Sequence, residues 1–424
     1  MVDDSGSSTS RRGSQIAGGI VLVFSLAINA ILIREFTPLL PYYQLYWDIR
    51  SWTSTNLLGR EHPDQTMIYE QVDFELHPSP RPTPKYSLDT VLQTDNPVML
   101  SERIRSHARE TLGITRIPRG PLRFRTHTSV PLDGYSLHKV SYQTQTHVRI
   151  PAFLLEPSNI PSPWPAILII HGCGFGKAGP AGIIQDSHNA LGIQLAQRGF
   201  LVLIPDRRGF GELQPFDHYV SPDCSGSALD GRQLLETDAH NAFNTDLRSL
   251  DVFDLLIAAD YLATREDVTR VGLAGLSGGG VIASYVAGQS DTINAIALVN
   301  SHSYHKRVPE TSGHEQSKFG AIPDDPLSRL QLYTLQRTPA LSTLADNHAL
   351  VSLVLLAPRP ILIQYGNQDT VNYLQGGDEV IELIRDLYDL HGTPENVFVS
   401  VESGGHEFFP ESIIDFFSAH LDRR

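Results

Sequence analysis

A serine flanked by glycines is the residue of this sequence best suited by its surroundings to do chemistry. Ser277 lies in the segment 275–279 (GLSGG), after an apolar, strand-forming run and before a segment of helical character. A strand, a sharp turn and a helix, with glycines two residues before and two residues after the serine, are the pattern of a nucleophile elbow. The spacing therefore predicts a serine side chain presented at the carboxyl end of a strand.

An acid and a histidine follow in the chain, each directly after a predicted strand. Asp369 and His406 should meet Ser277, because the carboxyl ends of parallel strands gather at one edge of a sheet. A serine hydroxyl is a poor nucleophile near pH 7, so the histidine would accept its proton and the acid would orient the imidazole. Asp324 or Asp325, in a later insertion, is an alternative acid.

A glycine-rich loop, 171–176 (HGCGFG), follows the apolar run 166–170 (AILII). Its exposed backbone N–H groups are suited to bind an oxyanion, and the N–H of Gly278 at a helix N-terminus offers a second donor. A phosphate-binding loop is excluded because the Lys-Ser/Thr pair is missing and the next helix starts too late. We therefore interpret the loop as part of an oxyanion hole.

Strands and helices alternate from residue 165 onward, and several of the strands are continuously apolar. This pattern predicts an α/β fold with a mostly parallel central sheet covered by helices on both faces. Three short alternating segments between residues 122 and 155 predict antiparallel strands that lead into the sheet. The segment of about 300–347 has low periodicity, and we interpret it as a cap insertion over the site.

The first 95 residues differ in character from the rest of the chain. A polar tail, 1–15, precedes an apolar segment, 16–33, long enough as a helix to cross most of a bilayer. A linker or arm, 34–95, contains a proline-rich spacer at 77–84, and the catalytic domain is predicted to span 96–424. We predict a single-pass N-terminal signal anchor with an extracytoplasmic catalytic domain; a cleaved signal peptide and secretion is the alternative.

Composition excludes several classes of function. The formal net charge of −14 argues against a nucleic-acid partner. The two cysteines, Cys173 and Cys224, are too few for a disulfide framework or a cysteine-based metal site. The 17 histidines show no metal-ligand spacing, so neither a metal nor a cofactor is predicted.

Five motifs together resemble a known family. They are 171–174 (HGCG), 206–212 (DRRGFGE), 275–280 (GLSGGG), 357–360 (APRP) and 404–408 (GGHEF). From about residue 114 to the C-terminus, the sequence is similar to α/β-hydrolases of the acetyl xylan esterase and dienelactone hydrolase-like group. The resemblance implies an α/β-hydrolase fold with Ser277 as nucleophile, Asp369 as acid and His406 as base. It also implies that the backbone N–H groups of Cys173 and Gly278 form the oxyanion hole.

The sequence departs from this family pattern at two places. Acetyl xylan esterases of the best-defined type carry Arg-Gly-Gln and Ser-Gln-Gly where this chain has Arg208-Gly209-Phe210 and Ser277-Gly278-Gly279. Dienelactone hydrolases proper carry a cysteine where this chain has Ser277. Arg208 is expected to pair with a carboxylate and brace its loop.

The function predicted is cleavage of a carboxylic ester, with a small acyl or acetyl group, through an acyl-enzyme intermediate. The substrate would be a small-molecule or carbohydrate ester. Alternatives are a serine peptidase or amidase of the prolyl oligopeptidase type and a non-catalytic binding protein on the same scaffold. The repeated four-stranded blades that precede the hydrolase domain in prolyl oligopeptidases are absent from the sequence.

Overall fold

A computed structural model describes residues 96–146, 148–213, 247–302, 352–369 and 374–421. The predicted polar tail, membrane anchor, linker and nearly all of the predicted cap lie outside these residues. Within the described ranges, none of the helices combines the length and the apolar character needed to cross a membrane.

The strands of the described residues form one nine-stranded sheet in the order β1-β2-β3-β5-β4-β6-β7-β8-β9. In chain order the strands are β1 Arg125–Leu132, β2 Tyr135–Gln145, β3 Val148–Pro157, β4 Trp164–Ile170, β5 Leu201–Pro205, β6 Val268–Leu276, β7 Ile293–Val299, β8 Ile361–Gly366 and β9 Val397–Glu402. The first three strands and the β3–β5 pair are antiparallel. The remaining pairs are parallel, which confirms the predicted sheet.

The continuous apolar strands lie at the centre of the sheet. Every residue of β4 and β5 is buried, whereas β1 at one edge has no buried residue. A strand covered on both faces needs apolar side chains at every position, and this is why these two strands lack alternation.

Helices cover both faces of the sheet. They are α1 Pro97–Leu112, α2 Leu191–Gln197, α3 Leu247–Thr264, α4 Gly278–Gln289, α5 Leu374–Leu390 and α6 Pro410–Leu421. One apolar cluster joins α1, α3, α4 and α5 to one face, and a second joins α2 and α6 to the other. The side chain of Asn96 caps α1 by accepting the N–H of Met99 at 3.0 Å, and Gly113 ends it in a left-handed conformation.

One helix is shorter than its sequence suggests. The apolar pattern predicts a helix over 189–198, but α2 begins at Leu191. Asn189 and Ala190 have φ values of 48° and 50°, which are incompatible with a right-handed helix. The side chain of Asn189 instead donates hydrogen bonds to Glu407 and to the carbonyl of Phe408, and so links α2 to the loop after β9.

Candidate active site

Ser277 occupies a strained turn between β6 and α4. Its φ of 55° and ψ of −127° lie in a region that non-glycine residues rarely adopt. Its backbone N–H donates to the carbonyl of Val299 at 2.9 Å, which fixes the turn to the neighbouring strand β7. The side chain is therefore held at the carboxyl edge of the sheet, as the sequence predicts.

Two glycines make the turn possible because there is no room for a side chain at either position. A Cβ added to Gly275 would lie 2.6 Å from the carbonyl oxygen of Gly279. A Cβ added to Gly279 would lie 2.4 Å from the carbonyl oxygens of Ile170 and His171. Both contacts are with backbone atoms, so a neighbouring side chain cannot relieve them by rotating.

The predicted acid and base meet beside the elbow. His406 Nδ1 and Asp369 Oδ2 are 2.8 Å apart. The Asp369 side chain is fully buried, whereas 21% of the His406 side chain is exposed. A buried carboxylate that accepts the Nδ1 proton leaves Nε2 on the exposed side of the ring as the proton acceptor. In the described part of the chain, no hydrogen bond joins this ring to the Ser277 hydroxyl.

The glycine-rich loop lies directly against the elbow. A Cβ added to Gly172 would lie 3.0 Å from the carbonyl oxygen of Leu276 and 3.3 Å from Cβ of Ser277. The residue that follows, Cys173, is therefore next to the serine in space. Gly278, the other predicted oxyanion donor, is the first residue of α4, where a backbone N–H has no partner within the helix.

Two buried histidines hold Gly172 in place. His188 Nε2 accepts the N–H of Gly172 at 3.0 Å, and His188 Nδ1 lies 2.9 Å from an oxygen of Asp186. His171 Nδ1 donates to the carbonyl of Gly172 at 2.7 Å, while its Nε2 accepts the N–H of Arg207 at 3.0 Å. Each ring has to accept a backbone N–H, so each acts as a neutral imidazole.

The protonation state of His171 agrees with this role. Burial, with a further contribution from the Arg207 guanidinium, lowers the pKa of His171 well below its usual value of 6.5. The ring is fully buried and stays neutral at physiological pH.

Cys173 is disulfide-bonded, and the described residues include no free cysteine. The other cysteine of the chain, Cys224, lies outside the described residues. The Cys173 sulfur is thus committed to a covalent bond, and the backbone N–H is the group this residue can offer to an oxyanion.

A network of charged side chains packs against the glycine-rich loop 171–176. Asp206 receives the ammonium of Lys177 and the backbone N–H groups of Lys177 and Glu212, at 2.8 and 2.9 Å. Burial favours the neutral form of Glu212, but the charges of Lys177 and Lys139 outweigh it and lower the pKa of Glu212 to about 2. These acids are engaged in holding the loop and are not available for proton transfer.

Arg208 pairs with a carboxylate, as the sequence analysis expects. Its Nε donates to Asp254 at 2.6 Å, and its backbone N–H donates to Asp251 at 2.9 Å. Both acids lie on α3, so the pairing ties the loop after β5 to the helix that leads into the elbow strand.

A comparison with known sequences supports this arrangement. Residues 150–318 match the sequence model of the dienelactone hydrolase family. The matched segment contains the glycine-rich loop and the elbow. It confirms the predicted resemblance and supports the expected class of enzyme, a carboxylic ester hydrolase.

Individual proteins are similar to this chain in sequence or in structure. The chain is 24% identical over 267 residues to YtaP of Bacillus subtilis (strain 168), which is named as a hydrolase; the match covers 61% of this chain and 79% of YtaP. The methylesterase BT1017 superposes with a TM-score of 0.52 and 19% identity, over 76% of this chain and 65% of its own. The chain thus spans a little less than two thirds of the length of that methylesterase.

A protein of Bacteroides fragilis NCTC 9343, assigned as an acetyl xylan esterase, superposes with a TM-score of 0.54 and 17% identity. This match covers 78% of this chain and 85% of that one. At these identities the two structures establish a shared fold, and they confirm the predicted α/β-hydrolase architecture.

Sequence reasoning missed three features of the site: the bracing of Gly172 by His188, the disulfide at Cys173, and a buried amide at Asn300. Asn300 directly follows β7 at the same edge of the sheet as the predicted triad. That position was the available signal, but it was interpreted as the start of the cap insertion.

Proposed function

We propose that the protein is a serine hydrolase that cleaves carboxylic esters, with Ser277 as nucleophile, His406 as base and Asp369 as its orienting acid. The observation that carries the proposal is the Asp369–His406 hydrogen bond of 2.8 Å at the edge of the sheet where Ser277 adopts a φ of 55°. The match of residues 150–318 to the dienelactone hydrolase family model supports the same chemistry.

In the proposed reaction, Ser277 Oγ attacks the ester carbonyl carbon while His406 Nε2 takes the hydroxyl proton. The resulting oxyanion accepts the backbone N–H groups of Cys173 and Gly278. Collapse of the tetrahedral intermediate breaks the ester C–O bond, and His406 gives its proton to the departing alcohol oxygen. A water molecule, deprotonated by His406, then attacks the acyl-enzyme and releases the acid and free Ser277.

The lack of a hydrogen bond between Ser277 and His406 among the described residues is compatible with this sequence of steps. Catalytic hydrogen bonds are often loose before substrate binds and shorten in the complex. The base retains the required freedom, since part of its side chain is exposed while its partner acid is fixed.

A fluorophosphonate probe tests the nucleophile directly. The wild-type protein should be labelled with one equivalent, and Ser277→Ala should not be labelled. Ser403→Ala, which changes an exposed serine three residues before His406, should be labelled like the wild type. Equal labelling of Ser277→Ala and the wild type would assign the nucleophile to another residue.

The preferred ester is proposed to carry a small acyl group on a small-molecule or carbohydrate alcohol. One of the fold relatives named above is assigned as an acetyl xylan esterase, a name that specifies a small acyl group. A panel of chromogenic esters graded by acyl length tests this: kcat/KM should be highest for acetyl and propionyl esters. A maximum at eight carbons or more would contradict it.

We further propose that the hydrolase domain lies outside the cytoplasm, held by residues 16–33 as a signal anchor. The disulfide at Cys173 supports an oxidising compartment, because structural disulfides are rare in the cytosol. The full-length protein should stay in the membrane fraction after an alkaline carbonate wash. Recovery as a soluble protein that begins after residue 33 would show that the segment is a cleaved signal peptide instead.

A further inference from the structure

Asn300 is a fully buried polar residue at the centre of the candidate site. It directly follows β7 and has a φ of 44°, in the left-handed region that asparagine tolerates better than most residues. Its backbone N–H donates to the carbonyl of Gln364 at 2.9 Å and so extends the pairing of β7 with β8 by one residue. This backbone turn directs the carboxamide away from the helices and toward the loops that follow β8 and β9.

The carboxamide contacts both loops of the acid–base pair at once. Its oxygen accepts the N–H of Gly366 at 2.9 Å, and its nitrogen donates to the carbonyls of Gly405 and Glu407 at 3.3 and 3.0 Å. Gly405 and Glu407 are the two residues on either side of His406. The base is thus held through its backbone on both sides by one side chain.

The same amide also fixes the acid. Gly366 begins the turn that carries Asp369, and its carbonyl accepts the Asp369 N–H at 3.1 Å. The two loops touch here, since a Cβ added to Gly366 would lie 2.1 Å from the carbonyl oxygen of Gly405. Any change in the Asn300 contacts therefore alters the position of Asp369 relative to His406.

We propose that Asn300 is a positioning residue that sets the alignment of His406 with Asp369, an inference that rests on the proposed function. The arrangement requires an acceptor on one side and two donor hydrogens on the other, which a carboxamide supplies and a carboxylate does not. Asn300 has no role in proton transfer; it acts through the loops that carry the acid and the base.

Two substitutions separate alignment from folding. Asn300→Gly keeps the left-handed backbone without strain and removes all three side-chain hydrogen bonds. Asn300→Asp keeps the size and the acceptor, but it places a negative charge against two carbonyl oxygens. Asn294→Gly, at the other end of β7, is the matched control: the Asn294 side chain accepts one backbone N–H, from Val271 at 2.9 Å.

The expected result is a loss in kcat with little change in KM. For Asn300→Gly, kcat should fall about 10- to 100-fold, in keeping with a displacement of about 1 Å between reacting groups. KM should stay within about twofold, because the Asn300 side chain is fully buried. Asn294→Gly should match the wild type in both constants.

The pH profile of kcat gives a readout that a purely structural role would not change. Loosening the Asp369 contact removes stabilisation of the imidazolium, so the acidic limb for Asn300→Gly should move to lower pH. Asn300→Asp adds a negative charge against the two carbonyls that flank His406, in addition to the charges of Asp369 and Glu407, so its acidic limb should move to higher pH. If the glycine variant does not fold, the shift in the aspartate variant decides the question.

Fluorophosphonate labelling keeps this inference apart from the proposed function. If the wild type is labelled at Ser277 and Asn300→Gly is labelled to the same extent but more slowly, both stand. If the wild type is labelled and folded Asn300→Gly shows wild-type kcat and an unshifted acidic limb, the inference is overturned and the proposed function survives. If Ser277→Ala is labelled like the wild type, the proposed function itself fails.

Discussion

At the scale of single residues, neutral histidines are as important to this site as the proposed catalytic one. His171 and His188 each accept a backbone N–H that an imidazolium could not accept. Together they bind the N–H and the carbonyl oxygen of Gly172, the residue before the proposed oxyanion donor Cys173. Acid should therefore damage the site through its support as well as through the proposed base.

The pH dependence of stability follows from His171. Its pKa in the folded protein is well below the 6.5 of the unfolded chain, so below about pH 6.5 the unfolded state binds more protons. The free energy of unfolding should be fully retained above pH 6.5 and should decrease as the pH falls from there toward 5. Urea unfolding at a series of pH values measures this decrease.

The His171→Gln variant tests whether the His171 imidazole causes this loss of stability. His171→Gln should be less stable than the wild type at pH 7.5 but should lose less stability on acidification. His420→Gln is the comparison: burial also lowers the pKa of His420, but less than that of His171, so this variant should reduce the loss of stability on acidification by less. Equal pH slopes for the wild type and His171→Gln would contradict the assignment.

The assignment of the acid is tested at the same scale. Asp369→Asn should lower kcat by about 10³- to 10⁴-fold with KM largely kept, because an amide favours the wrong tautomer of the histidine. Asp324→Asn and Asp325→Asn should leave kcat within about twofold of the wild type. A large loss in either of these, with Asp369→Asn active, would identify the acid in the insertion.

At the scale of elements, the Ser277 turn depends on a close approach of the backbones of β4, β6 and α4. Gly279→Ala would force a methyl group to within 2.4 Å of two carbonyl oxygens at the end of β4. We expect a loss of about 1–3 kcal/mol or more in the free energy of unfolding, and a loss of activity, measured by thermal melting and ester hydrolysis. Gly405→Ala, where an added Cβ meets nothing within 4 Å, should melt like the wild type.

The elements themselves could be predicted well because each is defined by its own residues. The apolar run 293–299 predicts a strand, and β7 spans Ile293–Val299. Asn96-Pro97 before an apolar helical face predicts a helix start, and α1 spans Pro97–Leu112. The Ser277 turn was predictable for the same reason, since its glycines are adjacent in sequence.

The side-chain hydrogen bonds of Asn300 could not be predicted in this way. Its partners lie 66, 105 and 107 residues further along the chain. Its left-handed backbone conformation cannot be predicted from the pattern of hydrophobic residues. The start of α2 was wrong for a related reason: Asn189 bonds to a loop more than 200 residues away instead of continuing a helix. Side-chain contacts between distant loops need the folded sheet to define them.

At the scale of the whole molecule, a residue of the proposed oxyanion hole, Cys173, is disulfide-bonded, and Cys224 is the other cysteine of the chain. Cys173→Ala keeps the backbone N–H and should retain most of kcat, but it should lose about 2–4 kcal/mol of stability. Cys224→Ala should lose a similar amount, and the double variant no more than either alone, as measured by urea unfolding. A folded Cys173→Ala protein with kcat reduced by orders of magnitude would give the sulfur a chemical role.

The order of the strands divides the proposed triad between the middle and the rim of the sheet. Ser277 follows β6, a central strand, whereas His406 follows β9, which pairs on one side only and is partly exposed along its length. Strands at a rim exchange their amide hydrogens through local openings that cost far less than global unfolding. Warming or mild denaturant would thus separate the base from the nucleophile while the central strands stay protected. Turnover should therefore be lost at a lower temperature or denaturant concentration than the structure of the central strands.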